Sequence, residues 1–333
     1  MSGGAAETAS REALAMVGGS ALPGGVMMRT STRVGVAVRQ DATGEVVTEG
    51  FDIHPPRGRW ARWPLMRGVV AMRTALKTGA EAFNVSERLR WDDPEIEDEE
   101  EEKLGTLATI LIGAAGLLGA GVQILAFRVG PVVLAKEAGL EGAAFIVADA
   151  MIRLVLLLCT LLVVSLLPPF RRILAYHGAE HQAITARESG APLTAAAAAT
   201  FTRFHPRCGT SFLVVSALVS IAIYGAVLAI TGVFTYPALI ATRLIGGPIV
   251  TAVAFELQRQ AARLSHGRWR FLSWPGMAAQ VLTTRKPGPE ELEVAVAALK
   301  EALAPSTATE PESDEQVDDA AAIIDPPGLL GPG

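Results

Sequence analysis

The chain has 333 residues, half of them hydrophobic and 6% aromatic, with 34 acidic against 29 basic side chains and a formal net charge of −5. A composition this apolar and this low in charge excludes an ordinary soluble enzyme of similar length. The acids gather in Asp92–Glu102 (DDPEIEDEEEE) and in the tail after Glu310, so the remainder is basic; its cations flank apolar runs rather than interleaving with aromatics, which fits lipid headgroups and excludes nucleic acid as a partner.

In chain order, residues 1–16 read as a disordered N-terminus, and the first 25 residues hold no apolar core of signal-peptide length. Arg33–Arg39 and Glu45–Phe51 alternate around the turn-like Asp41–Gly44, which predicts a β-hairpin. Trp60–Arg90 repeats Leu65, Val69, Met72, Leu76, Ala80 and Phe83 at helical spacing, with Arg67, Arg73 and Lys77 alongside. That pattern suits a helix lying on a membrane surface or one covering the β-element.

Four segments have the length and hydropathy of membrane spans. They are Leu104–Phe127; about Ala143–Leu167, which carries Asp149 and Arg153; Thr210–Val233; and Tyr236–Leu257, interrupted by Gly246-Gly247-Pro248. Asp149 can pair with Arg153 at i+4, and Arg243 is a further partner for it. Pro168-Pro169 ends the second span. Arginines crowd the region before the first span, the loop between spans two and three, and the stretch after span four. That distribution predicts an inner (plasma) membrane protein with both termini cytoplasmic.

Pro289–Ala302 reads as a cytoplasmic amphipathic helix, and the segment from Pro305 as disordered. The expected fold is a mainly α polytopic membrane protein with about four transmembrane helices, a small N-terminal β-hairpin element and cytoplasmic amphipathic helices. Its expected divisions are 1–16, 17–103, 104–257, 258–303 and 304–333.

Tyr176-His177-Gly178-Ala179-Glu180-His181 follows the second span. On a helix, His177 and His181 point to one side and can share a metal ion, with Glu180 beside them as a ligand or as a base. A second cluster, His205-Pro206-Arg207-Cys208-Gly209, precedes the third span, and Glu256 closes the fourth. The expected topology brings all six to one membrane depth. The candidate ligands are therefore His177, His181, His205, Cys208 and Glu256 around a divalent metal, zinc fitting best, with Glu180 as the catalytic candidate. Cys159 lies within an apolar run, so no disulfide with Cys208 is expected. His54 and His266 read as exposed and unligated.

The segments GGVMMRTSTRVGVAVRQ, WPLMRGVVAM, YHGAEHQAI, FHPRCGTSFL and PGMAAQVLTTRKPGPEELEVAVAALK resemble, in that order, the YqhQ-like bacterial membrane proteins over about residues 17–303. The resemblance implies a multi-pass membrane protein of unassigned biochemistry for which a metal-dependent enzyme has been suggested. Family members tend to read GGQAV-x-EGVMMR, where this chain has Ser20 and Gly24 in place of the amide and the acid; the usual Tyr-Glu ending the fourth span is Phe255-Glu256. Two functions follow. One is a membrane-embedded metallohydrolase opening to the cytoplasmic face, and the other a scaffold or accessory subunit with a structural metal. Beyond the lipid bilayer, a homo-oligomer and a cytoplasmic protein partner stay open.

Overall fold

The computed structural model describes residues 17–53, 63, 66–91, 106–263 and 273–305. The expectations for residues 1–16, Trp60, the acidic run, His54, His266 and the tail beyond 305 lie outside them. The strands are β1 (Gly18–Leu22), β2 (Gly25–Arg29), β3 (Arg33–Arg39) and β4 (Val46–Asp52). Helices α1 (Met66–Trp91), α2 (Thr106–Ile124), α3 (Gly130–Glu137), α4 (Gly142–Leu166), α5 (Pro168–Glu188) and α6 (Ala195–Ala198) follow. Then come α7 (Gly209–Thr231), α8 (Tyr236–Ile245), α9 (Gly247–Arg263), α10 (Trp274–Thr283) and α11 (Pro289–Ala302). The chain is thus mainly helical with a small sheet, as its sequence predicts.

Two compact units form. The first joins residues 17–91, 167–208 and 280–305, and its centre is an antiparallel sheet in the order β1-β2-β3-β4. The predicted hairpin is β3–β4, closed by Arg39 opposite Val46. A second hairpin, β1–β2, escapes sequence reading because Gly18-Gly19-Ser20 carries no apolar alternation. Its turn is nevertheless written in Pro23-Gly24: proline fixes the first central residue, and Gly24 supplies the φ of 75° that the second requires.

Strand alternation gives the sheet two buried faces. Leu22, Met27, Val34, Val36 and Val38 pack against Ala82, Val85 and Leu89 of α1. Val26, Met28 and Ala37 pack on the other side against Tyr176, Ala179 and Ala183 of α5 and against Leu292 and Leu299 of α11. At Gly35 a Cβ would stand 2.4 Å from the Ala298 carbonyl oxygen, so only glycine lets α11 lie this close to β3. Helix α1 covers the sheet, but not through the stripe its spacing singled out. Val69, Leu76 and Phe83 are exposed, while Val70, Thr78, Ala82, Val85 and Leu89 are buried. The stripe that meets the sheet runs through Ala82, Val85 and Leu89, while Leu76 and Phe83 fall on another side of the helix.

The second unit spans residues 106–166 and 209–279. It holds three helices long and apolar enough to cross a membrane, Gly116–Glu137, Gly142–Leu166 and Gly209–Thr231, or four if the bent pair α8–α9 is one span. The first does not stop at Phe127 as expected. It passes through one π turn, Leu125–Val129, into α3 and carries Arg128 with it. Two polar contacts make that tolerable: Arg128 Nη1 lies 2.7 Å from the Arg243 carbonyl oxygen and 3.3 Å from Tyr224 Oη.

The same contacts explain the break between α8 and α9, bent by 46°. Pro248 has no N–H to offer the Leu244 carbonyl, and one residue earlier the Arg243 carbonyl accepts from Arg128 and from the Tyr224 hydroxyl. A Cβ at Gly246 would lie 2.8 Å from the Tyr224 ring, and one at Gly247 2.7 Å from Arg128 Nη1, so the glycine pair makes room for both partners. Deeper in the unit, Asp149 pairs with Arg153 at 2.8 Å and with Arg243 at 2.7 Å, both partners expected from sequence.

Candidate metal centre

Helix α5 starts where the paired prolines predict. Pro168 occupies its first turn, where a missing N–H costs nothing. From there to Glu188 the chain is helical, so His177 and His181 stand one turn apart with ring centroids 4.5 Å from each other. His181 is buried at 1% exposure and His177 is half-buried, while Glu180 between them is 5% exposed. Gly178 sits between the imidazoles because a Cβ there would meet the Arg285 carbonyl oxygen. The backbone N–H of Arg285 in turn donates to the Leu174 carbonyl at 2.7 Å, binding this segment to α5.

Each imidazole is oriented by a main-chain carbonyl. His177 Nδ1 lies 2.7 Å from the Thr283 oxygen and His181 Nδ1 2.5 Å from the Arg203 oxygen. A carbonyl only accepts, so both Nδ1 atoms carry the proton and both Nε2 atoms present lone pairs. Cys208 Sγ lies 3.2 Å from His177 Nε2, and the Nε2 of His181 is buried without a hydrogen-bond partner. The three donor atoms fall within 4.8 Å of one another. Zinc bonds of 2.0–2.3 Å set ligand separations of roughly 3.3–3.8 Å, so the Cys208–His177 pair is already at bonding spacing and only the wider separations need to close, by up to about an ångström. Three protein donors leave a fourth coordination position.

Glu180 is not one of the three clustered donors, and its side chain packs against β1. Its carboxyl and Cγ would lie 2.8 Å from a Cβ at Gly19, and its Oε2 is buried with no hydrogen-bond partner. Burial pushes its pKa up to about 7 against the pull of His177 and His205. Burial lowers the pKa of His181, keeping it neutral and available as a donor, and lowers that of His205 as well.

His205 is buried too, its ring centroid 5.7 Å from that of His181, but its polar atoms are engaged elsewhere. Its backbone N–H donates to Gln280 Oε1 at 2.8 Å, its carbonyl accepts from Gln280 Nε2 at 2.7 Å, and its Nε2 lies 3.3 Å from Glu188. Arg207 pairs with the same Glu188. Glu256 lies on α9, in the second unit. Structure therefore gathers His177, His181 and Cys208, places Glu180 and His205 on their flanks within the same unit, and adds the Thr283 and Arg203 carbonyls and Gln280 as supports. Sequence spacing could not have found those supports, since any residue carries a carbonyl and Gln280 is 75 residues from the histidine it clamps.

The chain is similar to "Uncharacterized protein YqhQ" of Bacillus subtilis (strain 168), 29% identical over 248 residues that cover 72% of this chain and 77% of the relative. No solved structure matches. The family described as "Protein of unknown function (DUF1385)" matches residues 63–305, which include every candidate site residue, and the chain belongs to that family.

Proposed function

We propose that this multi-pass membrane protein carries a zinc-dependent, hydrolase-like site at the cytoplasmic membrane face, with His177, His181 and Cys208 as ligands and Glu180 as base. The observation that carries the reading is the buried, unpartnered Nε2 of His181 facing a second imidazole and a thiol. An orphaned polar atom at that depth is costly, and a cation is the partner that satisfies all three donors together. Carbonyl-anchored Nδ1 atoms are also the usual support of metal-binding imidazoles. His205 takes no ligand role here, because its ring is committed to Glu188 and to the Arg207 N–H, 3.3 Å from Nδ1.

Zinc held by the triad supplies Lewis acidity and brings the pKa of a water toward neutrality. Glu180 supplies the proton traffic. A carboxyl with a pKa near 7 accepts a proton at neutral pH and returns it. Oε2 would take the proton of a water as its oxygen adds to an amide or ester carbonyl, then give it to the departing amine or alcohol.

A structural metal is the competing reading, favoured by how the site ties three distant stretches together: α5, the chain at Cys208 and the Thr283 carbonyl. One set of measurements separates them. Full-length protein purified in detergent is expected to hold about one equivalent of zinc, lost in His177→Ala and Cys208→Ala and retained in Glu180→Gln. Zinc retained in both ligand variants overturns the site. In cobalt-substituted protein, thiocyanate should perturb the visible spectrum through an exchangeable position; an unperturbed spectrum makes the site closed and structural.

A further inference from the structure

A cavity of about 330 Å³ lies between the β1–β2 hairpin and α1, lined by Gly18, Gly19, Ser20, Met27 and Arg29 of the strands and by Ala75, Thr78 and Gly79 of the helix. It sits on the α1 side of the sheet, while the Glu180 carboxyl packs against Gly19 from the α5 side. Arg29 brings the cavity's one charge. It follows Met27 by two residues, so alternation turns it toward α1 as well. Its guanidinium is partly buried, enough for desolvation to lower its pKa, and no acidic side chain pairs with it among the described residues. Among the described residues no carboxylate lines the cavity.

Two glycines keep this space open without being needed for packing. Gly18 lies directly across the ladder from Arg29, and a Cβ there would meet nothing within 4 Å. Gly79 lies in the interior of a 26-residue helix, where glycine is less favourable than alanine, and a Cβ there would also meet nothing within 4 Å. Close packing of the chain therefore explains neither residue. Both leave room for a bound group beside the unmatched cation.

We infer that this cavity binds the phosphate group of a small organic molecule, with the Arg29 guanidinium as its counter-charge and the Ser20 and Thr78 hydroxyls within the same wall. A guanidinium presents paired N–H donors matched to phosphate oxygens, and the volume leaves room for an organic group beyond the phosphate. That group could belong to a soluble phosphate ester or to a lipid headgroup. The inference stands apart from the metal centre, and its failure would leave the zinc reading intact.

The test is calorimetric titration of full-length, detergent-purified protein at low salt with sn-glycerol 3-phosphate, alongside nanodiscs with and without phosphatidate. Saturable binding of glycerol phosphate supports a soluble ligand, and binding confined to phosphatidate nanodiscs supports a lipid one. Arg29→Gln should weaken binding by about tenfold to a hundredfold, the worth of a charge-assisted hydrogen bond. Gly79→Leu should block the cavity and weaken binding at least about tenfold while leaving the melting temperature equal or higher, since leucine is the better helix former. It keeps the question answerable if Arg29→Gln fails to fold. No saturable binding to either form of phosphate, or binding unchanged by both variants, overturns the proposal.

Discussion

Replacing Asp149 with alanine should be the most damaging single substitution in the second unit. Asp149 is 5% exposed and is the acid that pairs with both Arg153 and Arg243, the latter with no exposed surface at all. Two guanidiniums on one carboxylate already leave a positive excess in an apolar unit. The Tyr224 ring softens it, with the Arg243 and Arg153 guanidinium carbons 4.5 and 5.2 Å from its centroid. Removing the carboxylate strands both cations, and breaking a buried pair in this way costs about 3–5 kcal/mol. The melting temperature of Asp149→Ala in detergent is expected to fall by roughly 6 °C or more. Adding Arg153→Leu and Arg243→Met should recover most of the loss, because an apolar replacement of the whole group removes the stranded charges. An unchanged melting temperature in Asp149→Ala would show that the triad holds nothing together.

Gly178→Ala should damage the first unit and the metal centre at once. The added methyl would collide with the main-chain oxygen of Arg285, and backbone cannot step aside as a flexible side chain can. Either α5 or the segment after α10 must move. Overpacking of this kind costs about 1–3 kcal/mol. Movement there also lengthens the bond from His177 Nδ1 to the Thr283 oxygen, two residues before Arg285, and with it the tautomer and orientation of that imidazole. Loss of such a support lowers metal affinity by about 10–100-fold. Competition of purified protein with a zinc chelator measures this, and wild-type affinity in a correctly folded Gly178→Ala protein would remove Thr283 from the account. Its effect should differ from that of Cys208→Ala, which deletes a donor and leaves α5 packed.

Several elements were legible locally. Pro168-Pro169 marks the junction of α4 and α5, Gly246-Gly247-Pro248 marks the break between α8 and α9, and the spacing of Pro289–Ala302 gives α11 residue for residue. These signals are steric or periodic, and neighbouring residues suffice to express them. Helix α1 was legible as a helix but not in its orientation. Which face of an amphipathic helix is covered depends on the partner, and here Ala82, Val85 and Leu89 meet the sheet while Val69, Leu76 and Phe83 remain outside. Hairpin β1–β2 was overlooked because a glycine-rich edge strand has few side chains with which to show a pattern.

The candidate site divides in the same way. Sequence alone placed His177 and His181 on one helical face, because 3.6 residues per turn is a property of the backbone and needs no partner. It also determined the apolar helices, the partners of Asp149 and the turn of the β3–β4 hairpin. Only the tertiary structure decided that Cys208, 31 residues from His177, brings its sulfur to that imidazole while His205, three residues away from Cys208, turns to Glu188 instead. Likewise it alone joined residues 17–91, 167–208 and 280–305 into one unit. Such choices depend on which buried surfaces and carbonyls come together after the chain folds back on itself, and no local pattern of residues carries that information.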